Sequence, residues 1–275
     1  MICRGKKLEF GDSTHIMGVL NITPDSFSDG GVYLNLDNAI THAKNMVAVG
    51  ATIIDIGGES SRPGAEPVSE SIELDRVLPV IKVLASEQLD VLISIDTTKS
   101  VVAKQAIESG AHIINDITAL RGDDAMARVA ADTEAGVILM HMQGTPRTMQ
   151  FAPKYVDVVQ EVKEAFENWI DNASQNGIDP DRIIIDPGLG FGKTIDQNLE
   201  ILKKLEEFQR LNKPILIGTS RKSFIGSLLD LPVTDRIEGT LATVCWAIVH
   251  GADIVRVHDV KETVRAARMT DVLHR

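Results

Sequence analysis

The chain contains little cysteine. Its 275 residues include 2 cysteines, Cys3 and Cys245. Two cysteines this far apart match no metal-binding spacing and exclude a disulfide framework. We therefore expect a reducing, cytoplasmic location.

Positive charge is also scarce. The chain carries 28 Lys and Arg residues against 39 Asp and Glu residues, so its formal net charge is −11. Binding to nucleic acid needs a net basic face, so we expect no nucleic-acid partner. The charge still allows a small anionic substrate to bind at a local cluster of basic residues.

Long hydrophobic runs are missing. The longest apolar run, residues 241–249 (LATVCWAIV), is about half of the roughly 20 residues that a membrane helix needs. Residues 1–12 include two lysines but lack the apolar segment of a signal peptide. We therefore expect no membrane partner.

Eight short apolar runs, rich in Val and Ile, each end on a polar residue. Their length and composition predict strands that are buried on both faces of a parallel sheet. Helical segments lie between them, and no linker interrupts the chain. The pattern predicts an α/β fold, a (β/α)₈ TIM barrel forming a single domain over residues 1–275, whose active site lies at the C-terminal ends of the strands. The runs end on Asn21, Asp55, Asp96, Asn115 with Asp116, His141, Asp186, Ser220 and His258.

Three of these strand ends are candidates for binding a ligand. Asp96, Asn115 and Asp186 each follow an apolar run, which predicts that they face a pocket. Buried acceptors of this kind select ligands with matching donors, such as a flat, nitrogen-rich heterocycle. The alternative is that each side chain caps the helix that follows, since Asp and Asn are preferred N-cap residues.

Basic residues cluster in the predicted loops. Arg62 lies after the second strand, Arg221 and Lys222 after the seventh, and Arg256 and His258 at the end of the eighth. TIM barrels frequently bind phosphate at the loops after strands seven and eight, and Arg matches the geometry of phosphate oxygens. The alternative is solvated surface charge paired with nearby acids.

Two further patterns allow more than one interpretation. Asn21 and Asp25 suit Mg²⁺ held partly by substrate phosphate, although NxTPD is also a turn sequence. His141 either faces the site or shapes the loop behind it.

Residues 186–194 (DPGLGFGKT) resemble a P-loop, but the spacing of the first glycine is wrong by one residue. We therefore do not expect a nucleoside triphosphatase.

Taken together, the motifs at the predicted strand ends resemble those of dihydropteroate synthases. Residues 17–31 (MGVLNITPDSFSDGG) are similar to the first signature of that family, and residues 55–64 (DIGGESSRPG) to the second. Ser61 stands where the family pattern has Thr, so the hydroxyl is kept and a methyl group is lost. The resemblance covers residues 15 to 270 and continues through 95–97 (IDT), 115–117 (NDI), 140–144 (MHMQG), 186–193 (DPGLGFGK), 220–223 (SRKS) and 256–259 (RVHD).

The resemblance implies a transferase of folate biosynthesis. It would join 6-hydroxymethyl-7,8-dihydropterin diphosphate to 4-aminobenzoate, release diphosphate, use Mg²⁺ and form a homodimer. The C–O bond to diphosphate would break first, and the amine of 4-aminobenzoate would then attack. The implied sites are Asp96, Asn115, Asp186 and Lys222 for pterin, Arg256 and His258 for diphosphate, Ser61, Arg62 and Pro63 for diphosphate and 4-aminobenzoate, Phe191 for the 4-aminobenzoate ring, and Asn21 for Mg²⁺. Arg62, Lys222, Arg256 and His258 are the implied catalytic residues.

Three other functions remain open from the sequence. A methyltransferase barrel acting on methyl-tetrahydrofolate would share the Asp and Asn residues that bind the pterin. It would not need the basic cluster. A Schiff-base lyase would use Lys222, and borohydride trapping would detect it. A non-catalytic pterin-binding barrel would have no use for the basic residues.

Overall fold

The computed structural model describes residues 1–23, 32–61 and 64–275. It contains a small N-terminal hairpin, an eight-stranded parallel sheet and the helices around it. The hairpin consists of β1 (Ile2–Cys3) and β2 (Lys6–Lys7), which pair antiparallel.

The eight parallel strands form a closed barrel. Neighbours along the chain pair in register, and the last strand returns to pair with the first barrel strand. The remaining gap is closed by a parallel bridge between Ile185 and Ile215. This confirms the predicted (β/α)₈ barrel. The strands are β3 (His15–Asn21), β4 (Ile53–Gly57), β5 (Leu92–Asp96), β6 (Ile113–Asp116), β7 (Gly136–Met140), β8 (Ile183–Asp186), β9 (Leu216–Ile217) and β10 (Ile254–Val257).

Helices surround the barrel and bury its outer face. Their apolar sides pack against outward-facing strand residues such as Ile54, Ile95 and Ile185, which are fully buried. Within the described ranges, none of the helices combines the length and the hydrophobicity of a membrane span. The helices are α1 (Val32–Ala48), α2 (Glu70–Ser86), α3 (Ser100–Glu108), α4 (Met126–Thr133), α5 (Val158–Gln175), α6 (Ile195–Lys203), α7 (Ser223–Leu229), α8 (Ile237–Val249) and α9 (Val260–His274), with 3₁₀ turns at Pro180–Arg182 and Leu205–Leu211.

The two ends of the barrel interior differ in chemistry. Near the start of the strands, inward residues such as Met17 and Ile53 form an apolar cluster, which Cys3 and Leu8 of the N-terminal segment cover. Near the C-terminal ends, the inward positions become polar. The hydrophobic end stabilises the fold, and the polar end is left to bind a ligand.

Two predicted strand ends were wrong by two or more residues, whereas His141 and His258 each lie one residue past the end of their strands. The second strand does not end at Asp55, because Ile56 and Gly57 continue its pairing and Gly57 lies in register with Asp96. Asp55 therefore lies one layer deeper in the barrel. The seventh strand, β9, has only two residues, so Ser220 lies in the turn that follows it.

Candidate active site

Three predicted polar residues meet at the C-terminal mouth of the barrel. Asp96 ends β5 beside Asn115 of β6, and Asp186 ends β8. Asn115 and Asp186 are buried. The helix-cap interpretation is wrong, because other residues occupy the N-cap positions of the three following helices. Those residues are Lys99 for α3, Ala125 for α4 and Thr194 for α6.

One arginine links two carboxylates across the barrel. Arg256 of β10 donates from Nε to Asp55 Oδ2 at 2.6 Å and from Nη2 to Asp96 Oδ2 at 2.7 Å. Asn115 Nδ2 also donates to Asp55 Oδ2, at 3.0 Å. The sequence predicted Arg256 in the basic cluster of the site, but it placed Asp55 at a strand end and not among the ligand-binding residues. The only available signal was a carboxylate and a guanidinium within buried strands.

The electrostatics of this group follow from its burial. Burial raises the pKa of Asp96 to about 7, although the nearby Arg256 guanidinium opposes the shift. Burial acts to lower the pKa of Arg256, but the carboxylates of Asp55 and Asp96 outweigh it and the net shift is upward. Arg256 is therefore a permanent cation between two acids, and Asp96 is able to accept a proton or a hydrogen bond from a ligand.

A lysine and a phenylalanine lie next to Asp186. The Lys222 ammonium lies 4.4 Å from the centre of the Phe191 ring, which is a cation–π distance. Burial lowers the pKa of Lys222 to about 8, and Asp186 partly opposes this shift. The structure thus brings together three of the predicted site residues, with an apolar ring beside a cation and a buried acid.

His258 and Arg221 contact different partners. The Nδ1 atom of His258 lies 3.0 Å from Ser220 Oγ, and the His258 backbone N–H also donates to that hydroxyl. Burial lowers the pKa of His258 to about 4, and Arg256 adds to the effect, so the imidazole is neutral at neutral pH. Arg221, expected in the basic cluster, forms an exposed ion pair with Asp259.

An ion-pair group that the sequence did not predict lies behind the second loop. Lys99 contacts Glu59 of that loop and, at 2.5 Å, the fully buried Glu73 of α2. Arg76 of α2 donates to the carbonyl of Gly58 at 2.7 Å. These contacts hold the backbone that leads to Ser61. No sequence spacing indicates this group, since Lys99 comes from the β/α unit after the one that holds Glu59 and Glu73, and these partners lie 40 and 26 residues away from it along the chain.

The remaining predicted residues lie at or beyond the edge of this group. Asn21 ends β3, and a Cβ atom placed on Gly57 would lie 3.6 Å from Asn21 Oδ1 and 3.7 Å from Asp96 Oδ2. Both oxygens are therefore close to the same point of the mouth. Ser61 is half-buried. Asp25, Arg62 and Pro63 lie outside the described residues.

Comparison with known proteins identifies the family of this barrel. The family described as "Pterin binding enzyme" matches residues 17–258. A dihydropteroate synthase from Synechocystis is 50% identical over 268 residues, which covers 97% of this chain and 92% of that protein. The chain belongs to the dihydropteroate synthase family. The family is one of transferases, so this settles the class of enzyme.

Solved dihydropteroate synthases share the whole fold. A structure from Clostridium difficile, determined in the presence of pteroic acid, is 48% identical with a TM-score of 0.92 and covers 98% of this chain and 100% of that chain. A structure from Xanthomonas albilineans with 4-aminobenzoic acid is 41% identical with a TM-score of 0.89 and covers 95% and 93%. The polar mouth described above therefore belongs to a dihydropteroate synthase barrel.

Proposed function

We propose that the chain condenses 6-hydroxymethyl-7,8-dihydropterin diphosphate with 4-aminobenzoate and releases diphosphate. The observation that carries this proposal is the buried mouth, where Asp96, Asn115 and Asp186 adjoin the cations Lys222 and Arg256. A heterocycle rich in N–H donors and an attached anion need this combination of acceptors and cations. The related structures with pteroic acid and 4-aminobenzoic acid support the same pair of substrates.

The acids and the amide form the proposed pterin slot. Asp186 and Asp96 accept hydrogen bonds from pterin N–H groups, and Asn115, held by Asp55, adds both a donor and an acceptor. The Lys222 ammonium donates to a pterin acceptor. Because these groups are buried, a ligand that lacks the matching pattern leaves them unpaired, which gives the slot its selectivity.

The cations and the second loop form the proposed diphosphate and acceptor sites. Arg256 and His258 lie at the end of β10, where His258, as a neutral imidazole, donates a hydrogen bond rather than a charge. Arg62 would add a second guanidinium. Together with Ser61, Pro63 and the ring of Phe191, it would frame the benzoate next to the pterin methylene group.

The mouth also fits Mg²⁺. Asn21 supplies a neutral amide oxygen near the Asp96 carboxylate, and Mg²⁺ in phosphate sites keeps most of its waters and takes few protein ligands. When bound, it would neutralise charge on the diphosphate oxygens. Among the described residues, no cluster of three His, Cys, Asp or Glu side chains that could hold a metal ion is present. Water and substrate phosphate would supply the remaining ligands.

The proposed reaction cleaves carbon from oxygen. The bond between the pterin methylene carbon and the diphosphate oxygen breaks, and both electrons leave with diphosphate. The amine nitrogen of 4-aminobenzoate then forms the new C–N bond and loses a proton. Asp96 and Asp186 stabilise the positive charge that spreads over the pterin, and Arg256, Arg62 and His258 stabilise the leaving group.

The test is a turnover assay that follows both products. Purified protein mixed with the two substrates and Mg²⁺ is expected to form dihydropteroate and diphosphate in equal amounts. EDTA is expected to stop the reaction, and excess Mg²⁺ to restore it. If pterin binds but no product forms, the synthase proposal is wrong. A non-catalytic or methyltransferase barrel then becomes the better explanation.

We also propose that the chain is a homodimer that associates through α7, α8 and α9. Both α7 and α9 pack against α8, and all three expose large apolar side chains, among them Leu228, Trp246 and Met269. Light scattering is expected to give twice the chain mass of 29.9 kDa. Trp246→Glu should shift the protein to monomer, and a monomeric wild type would contradict the proposal.

We place the reaction in the cytoplasm. Cys3 and Cys245 are both free thiols, as a reducing compartment favours. Burial raises the pKa of the Cys3 thiol to about 11, so that thiol is unreactive.

A further inference from the structure

A buried lysine in the loop after β8 has no role in the proposed chemistry. Lys193 is only 3% exposed. Its ammonium lies 3.0 Å from the carbonyl oxygens of Gly188 and Phe191, 3.2 Å from that of His141 and 3.0 Å from His141 Nδ1. Lys193 therefore gathers the backbone of two loops around one cation.

This arrangement differs from that of a P-loop lysine. In a P-loop, the lysine side chain reaches a phosphate, whereas the Lys193 donors are used by protein carbonyls. Among the described residues, no carboxylate forms an ion pair with Lys193. Burial lowers its pKa to about 7, although Asp186 partly opposes the shift. Burying a cation is costly unless its hydrogen bonds are made. The Lys193 ammonium is therefore stable at this position only while the two loops supply the carbonyls that accept from it.

Two positions in the loop around Lys193 accept only glycine. Gly188 and Gly192 adopt positive φ values of 67° and 62°. A Cβ atom at Gly188 would lie 1.9 Å from the His141 carbonyl oxygen, and one at Gly192 would lie 2.5 Å from that of Gln143. The loop after β8 is thus pressed against the loop after β7. Carbonyl groups that converge in this way repel one another unless a donor lies between them.

The loop carries Phe191, whose position matters at the mouth. The Phe191 carbonyl accepts from Lys193, and the Phe191 ring lies against Lys222. A second contact, from the Gly190 N–H to Asn198 Oδ1 at 2.7 Å, holds the neighbouring residue. Behind the cation, the His141 ring stacks on Trp169, with 5.5 Å between ring centres. Lys193 is therefore the link between a rigid aromatic support and the ring at the mouth.

We infer that Lys193 is a positioning residue for 4-aminobenzoate: its buried ammonium holds the loops after β7 and β8 together and so keeps the Phe191 ring where the acceptor substrate binds. This inference rests on the proposed function. It assigns Lys193 no contact with either substrate. Its effect falls first on the acceptor site, because Lys193 donates directly to the Phe191 carbonyl. The pterin slot shares this loop through Asp186, which accepts from the Gly188 N–H, and through Lys222 beside the Phe191 ring. Asp96 and Asn115, in contrast, are held by Arg256 and Asp55.

The experiment measures steady-state kinetics of Lys193→Met, Phe191→Ala and the double variant, with Lys203→Met on the exposed face of α6 as control. Lys193→Met is expected to raise KM for 4-aminobenzoate by at least about tenfold, because small misplacements of a binding group are costly. KM for the pterin substrate should rise less than KM for 4-aminobenzoate, because Asp96 and Asn115 keep their own partners, Arg256 and Asp55. Lys203→Met should behave as wild type.

The double variant decides whether Lys193 acts through Phe191. If it does, KM for 4-aminobenzoate in the double variant equals that of the more impaired single variant. If the two fold-changes multiply, or if both substrates are affected equally, the inference is wrong. Where Lys193→Met does not fold, Lys193→Arg serves in the same cycle, because a planar guanidinium cannot direct its donors to one point. An inactive wild type would refute the proposed function itself, whereas an active wild type with multiplying effects would refute this inference alone.

Discussion

Arg256→Ala is expected to lower kcat/KM by about 10²–10³, which is the usual effect of removing a preorganised group that stabilises developing charge. It is also expected to lower the free energy of unfolding by about 3 kcal/mol, because breaking a buried pair leaves a charge uncompensated. In this chain two acids are left: Asp55, whose side chain is fully buried, and Asp96, whose side chain is 14% exposed. Both effects are measured on one preparation, by initial rates and by urea unfolding.

Arg128→Ala is the matched control for this variant. Arg128 pairs with Asp132 at 3.4 Å on the surface of α4, where both side chains are more than half exposed. Exposed pairs of this kind contribute about 0–1 kcal/mol, so neither rate nor stability should change much. Arg256→Lys should recover part of the stability, because it keeps the charge, but not the contact with both carboxylates. Kinetics of Arg256→Ala close to those of wild type would refute the diphosphate role.

Asp186→Asn is expected to reduce kcat/KM for the pterin substrate by about 10²–10³, because a site built to accept hydrogen bonds discriminates strongly when a donor replaces the acceptor. The side chain accepts from the Gly188 N–H at 2.8 Å, and the amide oxygen of Asn preserves that bond. The melting temperature should therefore stay near the wild-type value. Burial raises the pKa of Asp186 in the unliganded protein, so the pterin N–H groups and Lys222 are needed to stabilise its charge.

Asp116→Asn tests whether the effect at Asp186 is specific to the mouth. Asp116 also lies at the end of a strand and is fully buried. However, its oxygens accept from Thr118 N, Thr118 Oγ1 and Leu120 N within its own loop. Losing one of these bonds should cost about 1–3 kcal/mol of stability with little change in kinetics. Equal kinetic losses at Asp116 and Asp186 would mean that both act by supporting the fold.

Much of the mouth was predictable because strand ends and side-chain alternation are local properties. Asp96, Asn115 and Asp186 each follow an apolar run, and parallel strands place their C-terminal ends at one side of a sheet. The error at Asp55 arose from the same reasoning. A polar residue was taken as the end of a strand, whereas Ile56 and Gly57 continue the pairing. A charge inside a buried strand requires a partner, and that partner lies elsewhere in the sequence.

The partners themselves were decided by the tertiary structure. Arg256 bonds Asp55 and Asp96 across 201 and 160 residues of chain, and only closure of the barrel brings β10 near β4 and β5. Packing of neighbouring β/α units brings Lys99 to Glu73, and it brings Lys193 to His141, which is 52 residues away along the chain. The eight strands, the polar side of the barrel and the family were predictable from the chain alone, since these depend on local pattern and motif. Which charge compensates which was not predictable, because Coulomb interactions and hydrogen bonds depend on distances in space, which the order of residues along the chain does not specify.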